Sequence, residues 1–319
     1  MARICALIGA KGGYNCQDAV SMKSRVETHF QTILQHLYIN PLERCNIACK
    51  ICYTRKTAPK LTEKQIVDFV EKYQKVNHVR VITFCGGEVM MLSYFPHLVN
   101  TLNTQGIYIQ IITNGTIDRL GEFLNPGQVN MIVSIDGLEA YHDRNRGAGN
   151  FLKSMYYLEK AILMGFHREI FSIVTRDNFV DIEKFEKYMQ DNIGKIDITY
   201  HPRKPPEYLL NHPISNIQGA LKGFGYVESH QLKELYKHKK VFPPPELGCY
   251  QISLVSDGKV YGCCEGTIPI GHMDDSITDL IMNLRKRVES WESEAEGSPC
   301  LRCSQPDFMC GMKSIHAIL

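Results

Sequence analysis

Residues 45–52 read Cys45-Asn46-Ile47-Ala48-Cys49-Lys50-Ile51-Cys52, three cysteines within eight positions, shortly after the apolar run Leu37-Tyr38-Ile39. Three thiolates on so tight a loop can grip three irons of a cubane and leave the fourth open to a chelating ligand. A zinc site short of one ligand, or a chance group of surface cysteines, is the alternative for an isolated run of this kind. The flanking sequence discriminates between them.

From about residue 36 to 202, short β-rich runs alternate with amphipathic stretches, the pattern of repeated βα units around a parallel sheet. The expected strands are Leu37 to Ile39, Val79 to Phe84, Ile107 to Thr113, Val129 to Ile135, Ile170 to Thr175 and Ile196 to Tyr200. Thr62-Glu63-Lys64-Gln65 reads as a capping box, with Ile66, Val70 and Tyr73 at helical spacing behind it. Asn150 to Gly165 and Asp181 to Asn192 read as helices by the same test. Six units are too few for a closed eight-fold barrel and enough for an open one, an α/β partial (β/α)6 TIM-like barrel with its functional loops at the strand C-termini. The informative residues do follow strands: the cysteine run the first, Gly86-Gly87-Glu88 the second, Thr113-Asn114-Gly115 the third, and Ser134 to Gly137 the fourth.

After His201, Pro202, Pro205, Pro206 and Pro213, then Pro243-Pro244-Pro245, mark a connector, with one helix expected near Gln231 to Lys237. Beyond it, Gln251 to Ser256 and Lys259 to Cys263 flank Asp257-Gly258, a β-hairpin with a two-residue primed turn that sets Ile252 opposite Cys263. That pairing brings Cys249 and Cys263 close enough to share a metal centre. The chain thus divides into an N-terminal extension (1–35), a core (36–205), and a connector with a small C-terminal domain (206–319).

Hydrophobic residues make up 44% and charged residues 22% of the 319, an ordinary globular balance. A net charge of +2 gives no reason to expect nucleic acid or an anionic membrane as partner. No window approaches the roughly 18 apolar residues of a membrane span, so a soluble, cytoplasmic protein is expected. In that setting the twelve cysteines point to metal or iron-sulfur ligation rather than to disulfides.

The cysteine loop, Gly86-Gly87-Glu88 after strand two and the six-unit array together resemble the radical SAM superfamily over residues 36 to 202. The resemblance implies a 4Fe-4S cluster on Cys45, Cys49 and Cys52. Its open iron would bind the amino and carboxylate groups of S-adenosylmethionine, and one electron would break the C5′–S bond to give a 5′-deoxyadenosyl radical. It also implies an electron donor such as a flavodoxin or ferredoxin. Ile51 stands where an aromatic residue usually offers its backbone to adenine. Val89 replaces the proline that often follows the Gly-Gly-Glu motif. Gly86 and Gly87 let backbone approach the cofactor without a Cβ in the way, and Glu88 can accept from its ammonium group.

Ser134-Ile135-Asp136-Gly137, with His142-Asp143-Arg144-Asn145-Arg146-Gly147, is similar to the fourth-strand region of the subfamily of anaerobic sulfatase maturases and peptide-modifying enzymes. By that similarity Ser134 and Arg146 hold the methionine carboxylate, which suits a forked guanidinium, and Ile198 at the sixth strand's end contacts the adenosine through its backbone. Cys249, Cys263, Cys300 and Cys303, with Gly258 five residues before Cys263, resemble the short "twitch" form of that subfamily's SPASM domain, implying one auxiliary 4Fe-4S cluster. A four-cysteine zinc knuckle uses the same ligands. Where the sulfatase maturases carry a basic aspartate, this chain has Cys264, which argues against sulfatase maturation. Cys264 is either a hydrogen-atom donor to a substrate radical or a buried apolar cysteine. The implied substrate is a peptide or protein side chain or α-carbon. A small molecule, as for aminocyclitol dehydrogenases, and a non-catalytic iron-sulfur or zinc scaffold are the alternatives.

Overall fold

The structure, a computed structural model, describes residues 30–31, 33–54, 56–203, 221–238, 240, 251–263 and 268–290. Six strands, β1 (His36–Asn40), β2 (Val81–Phe84), β3 (Tyr108–Thr113), β4 (Val129–Ser134), β5 (His167–Val174) and β6 (Asp197–Pro202), lie side by side in chain order, every neighbouring pair parallel. Each expected strand is found within a few residues of its limits. Because βα crossovers are right-handed, a monotonic strand order puts all the intervening helices on one face, as in a barrel wall.

Those helices are α1 (Glu63–Gln74), α2 (Phe95–Thr104), α3 (Glu139–Arg146), α4 (Asn150–Leu163) and α5 (Ile182–Asn192). Thr62 and Gln65 form the capping box: Gln65 N–H donates to Thr62 Oγ1 at 3.3 Å and Thr62 N–H to Gln65 Oε1 at 2.8 Å. Behind the cap, Ile66, Phe69, Val70 and Tyr73 are buried against the sheet. Strand alternation separates two surfaces. Leu37, Ile39, Ile82, Phe84, Ile109, Ile111, Met131 and Val133 join the apolar core under the helices. His36, Thr83, Gln110, Asn130 and Ser134 turn to the opposite, inner face, where His36, Thr83 and Gln110 form a hydrogen-bonded chain.

Beyond the core, α6 (Ser229–Lys237) matches the expected helix, and β7 (Ile252–Val255), β8 (Lys259–Tyr261), β9 (Pro269–His272) and α7 (Ile277–Ser290) follow. β7 pairs in parallel with β1, so one nine-stranded sheet runs β6-β5-β4-β3-β2-β1-β7-β8-β9. The hairpin exists, but its turn differs from expectation. Ser253 pairs with Tyr261, the Gly258 N–H bonds back to Val255 O at 2.9 Å, and only Gly258 in the turn has positive φ, at 84°. A two-residue I′ turn needs positive φ at both central residues. The loop is therefore the three-residue kind with glycine in the left-handed region, and the register moves by one, so that Gln251 rather than Ile252 stands opposite Cys263.

Candidate functional site

Past Asn40 the chain forms the loop that carries Cys45, Cys49 and Cys52, and the Gly-Gly-Glu turn after β2 packs against it. Gly87 N–H donates to Leu42 O at 2.9 Å and Glu88 N–H to Arg44 O at 3.0 Å. A Cβ on Gly86 would stand 2.2 Å from Leu42 O, and one on Gly87 1.8 Å from Arg44 O. The absence of a Cβ at both positions is therefore required by the chain's own 42–44 backbone, which packs against the turn. Glu88 is fully buried and ties the turn to the end of β3, accepting from Thr113 Oγ1 at 2.8 Å and Met90 N–H at 3.1 Å on Oε1, and from Asn114 N–H at 2.8 Å on Oε2. Burial pushes its carboxyl up, opposed by these bonds and by the charge of Arg146. An ammonium group would reach it only as a second donor on Oε2.

The three thiols lie in one electrostatic neighbourhood. Burial pushes Cys49 up to about 11; Arg146 pulls it down, while Cys52, Asp136 and Cys45 add to the rise. Burial likewise raises Cys45, against the charge of Lys56 and the Asn114 amide, whose Nδ2 approaches the sulfur at 3.5 Å. Lys56 Nζ donates to Ile47 O at 2.8 Å, and Cys52 Sγ lies 3.2 Å from Thr54 Oγ1. Two cations and two polar groups therefore stand ready for thiolates. Among the described residues no three His, Cys, Asp or Glu side chains are set to hold a single ion, whereas a cubane takes its thiolates at separate irons. The donor set fits an iron-sulfur cluster.

Asp136, at 0% exposure, organises the ground beside the loop. Its Oδ2 accepts from Arg146 Nε and from Asn145 Nδ2, both at 2.7 Å, and its Oδ1 from Arg146 Nη2 at 2.9 Å and Ile173 N–H at 3.1 Å. Burial alone would raise this carboxyl, but Arg146, His142 and Asn145 outweigh it and hold it below the usual carboxylate range. Arg146 is thus already forked onto Asp136, with its charge felt at Cys49 and Cys52. Asn145 reaches the loop: Lys50 N–H donates to its carbonyl at 2.9 Å and Ile51 N–H to its Oδ1 at 3.2 Å. Ser134, half-buried, ends β4 two residues before Asp136.

Ile198 is corrected. β6 runs to Pro202, so Ile198 lies at its beginning, paired with Ile170 and packed on the apolar core, and His201, Pro202 and Arg203 stand at the end facing the loops. Cys263 is buried beside Gly262, whose carbonyl accepts from Gln251 N–H at 2.9 Å. Because β7 runs parallel to β1, that level matches His36, the end of β1 away from the cysteine loop, a separation along the strand of about 13 Å at the usual rise. Cys249, Cys264, Cys300 and Cys303 lie outside the described residues. Sequence reasoning gave no role to Asp136, Asn145 and Asn114. For Asp136 and Asn114 the one signal was position, polar residues just past strand ends; Asn145, inside α3, had none.

The profile of the Radical SAM superfamily matches residues 39–190. Those residues are a radical SAM domain. The chain is 31% identical over 122 residues to the sporulation killing factor maturation protein SkfB of Bacillus subtilis, a stretch covering 36% of this chain and 30% of that protein. It is 26% identical over 177 residues to the S-adenosylmethionine-dependent nucleotide dehydratase of Lacinutrix mariniflava, covering 50% of this chain and 36% of that protein. Each of these two stretches therefore spans about a third of its relative. The structure of native anSMEcpe with bound AdoMet and Cp18Cys peptide superposes with a TM-score of 0.65 at 17% identity, over 89% of this chain and 98% of that one, a likeness of fold. Within the radical SAM domain the matched region includes the cysteine loop, Glu88, Asp136 and Arg146.

Proposed function

We propose that this chain is a radical SAM enzyme acting on a peptide or protein, with the cluster on Cys45, Cys49 and Cys52. The observation that carries the proposal is the convergence on one loop of three free cysteines with Arg146, Lys56 and Asn114, the charge and hydrogen bonding that thiolates need. When bound, the cluster supplies the electron that cleaves S-adenosylmethionine to the 5′-deoxyadenosyl radical. The chain's residues bind and orient. Arg146, locked by Asp136, presents its remaining guanidinium edge with Ser134 to the methionine carboxylate. The Gly86-Gly87 turn and Glu88 face the amino group, and Ile51 gives apolar contact to adenine. Cys263, with Cys249, Cys300 and Cys303, is proposed to hold an auxiliary 4Fe-4S cluster, and Cys264 to donate hydrogen. The likeness to SkfB and to the peptide-bound anSMEcpe favours a peptide substrate, with an epimerising, cross-linking or oxidising outcome. A small-molecule substrate is the second reading, favoured by the dehydratase relative and by the polar inner face of the sheet.

The test is anaerobic reconstitution with iron and sulfide, reduction with dithionite and assay of 5′-deoxyadenosine. Its formation by the wild type, and its loss in Cys45→Ala, Cys49→Ala and Cys52→Ala, is expected. A fully loaded protein that forms none would overturn the proposal in favour of a binding scaffold.

A further inference from the structure

We infer that Asn145 is a positioning residue that sets the cysteine loop and Arg146 in register with each other, an inference that rests on the proposed function. Asn145 is 2% exposed, and each of its side-chain polar atoms is hydrogen-bonded to a neighbour. Its Oδ1 takes the Ile51 amide at 3.2 Å while its main-chain carbonyl takes the adjacent Lys50 amide at 2.9 Å, so two consecutive peptide N–H groups between Cys49 and Cys52 are bound to one residue. Its Nδ2 donates at 2.7 Å to Asp136 Oδ2, the same oxygen that accepts Arg146 Nε at 2.7 Å. Asp136 in turn is fixed from other elements: the Ile173 amide of β5 donates to Oδ1, Asn178 Nδ2 donates to the main-chain carbonyl at 2.7 Å, and the Asp136 amide donates to His142 Nδ1 at 3.3 Å.

One amide side chain therefore joins the two groups proposed to touch opposite ends of S-adenosylmethionine, the Ile51 backbone at adenine and the Arg146 fork at the carboxylate. No other residue type supplies this pattern. Aspartate keeps the acceptor for Ile51 but turns an oxygen toward the Asp136 carboxylate; serine is too short to span both; glutamine places its amide one carbon farther out. Partners that orient ligands without touching the bound group ordinarily contribute ten- to a hundredfold to affinity or activity.

The experiment compares wild type, Asn145→Ala, Arg146→Lys and the double variant as full-length reconstituted protein, measuring S-adenosylmethionine affinity by titrating the change it produces in the EPR spectrum of the reduced cluster. Asn145→Ala is expected to weaken binding about ten- to a hundredfold, and the double variant to lose less than the two single losses combined, because part of the effect of Asn145 passes through the guanidinium's placement. In parallel, alkylation of the apo-protein reads the loop without any cofactor. Asn145→Ala is expected to speed modification of Cys49 and Cys52 about fivefold over wild type, the effect of one lost hydrogen bond on the loop, with the rate at Cys263 unchanged. Strictly additive losses of affinity, or alkylation at Cys49 and Cys52 as slow as in wild type, would overturn the inference. A wild type that shows no spectral response to S-adenosylmethionine would instead overturn the proposed function, and the alkylation comparison still decides whether Asn145 holds the loop.

Discussion

Asp136→Asn changes one atom at the most connected point of the site. The carboxylate receives four bonds, two on each oxygen, and every partner is a donor. In the asparagine variant, whichever way the amide is turned, its NH2 faces two of those donors: Arg146 Nε and Asn145 Nδ2 in one orientation, Arg146 Nη2 and the Ile173 amide in the other. Two bonds are lost and replaced by donor–donor contacts, and the guanidinium, whose side chain is only 12% exposed, is left without its countercharge. Removing one partner of a buried pair costs about 3–5 kcal/mol, and the slight exposure of Arg146 sets the expected value at about 3 kcal/mol. At about 2–4 °C per kcal/mol for a chain of this order, the apo-protein should melt roughly 6–12 °C lower. The assay is thermal and urea unfolding of apo wild type and variant, followed by far-UV circular dichroism at neutral pH and constant salt. A variant within about 1 kcal/mol of wild type would refute the reasoning, since the charge of Asp136 would then contribute no more than an exposed ion pair does.

Gly87→Ala should yield insoluble or iron-deficient protein, because its Cβ would lie 1.8 Å from Arg44 O. Gly121→Ala, with open space around it, should lose nothing and serves as the control, read by iron content after reconstitution. Thr62→Ala removes the cap of α1 and should lower stability by about 1 kcal/mol in urea unfolding, with Thr62→Asp restoring most of it. His36 is wholly buried and its pKa is lowered by desolvation to about 3, so the folded state refuses a proton that the unfolded chain accepts near 6.5. Its effect is absent above pH 6.5 and grows as pH falls through the window from 6.5 toward 3, at up to about 1.4 kcal/mol per unit. His36→Gln should flatten that part of the stability–pH curve; an unchanged slope between pH 6 and 4 would refute it.

The barrel strands were legible because each is a short apolar run followed by a chemically distinctive turn, and both signals are local. α4 and α5 were legible from apolar residues at helical spacing, which is also a local signal. α2 and α3 were not. α3 turns Tyr141, His142 and Asn145 inward, so its buried face is largely polar and shows no apolar period. That is also why Asn145 and Asp136 escaped notice: their partners, Ile51 at one end and Ile173 at the other, are 94 and 37 residues away, and only the sheet brings them together. The glycines of the Gly-Gly-Glu motif were found by pattern, but their close approach to residues 42–44 is likewise a tertiary fact without a local signal. The hairpin shows the limit most clearly. Its two strands and turn glycine are local and were read, yet one extra loop residue shifted every cross-strand pair, and its parallel docking on β1 had no local signal at all. That docking places Cys263 level with His36 and the cysteine loop at the other end of β1, so the polar residues of the inner face, His36, Thr83 and Gln110 among them, lie on the strands that run between the two thiol positions. Motif spacing located both ends of that span; the pairing of β7 with β1 is what sets them apart.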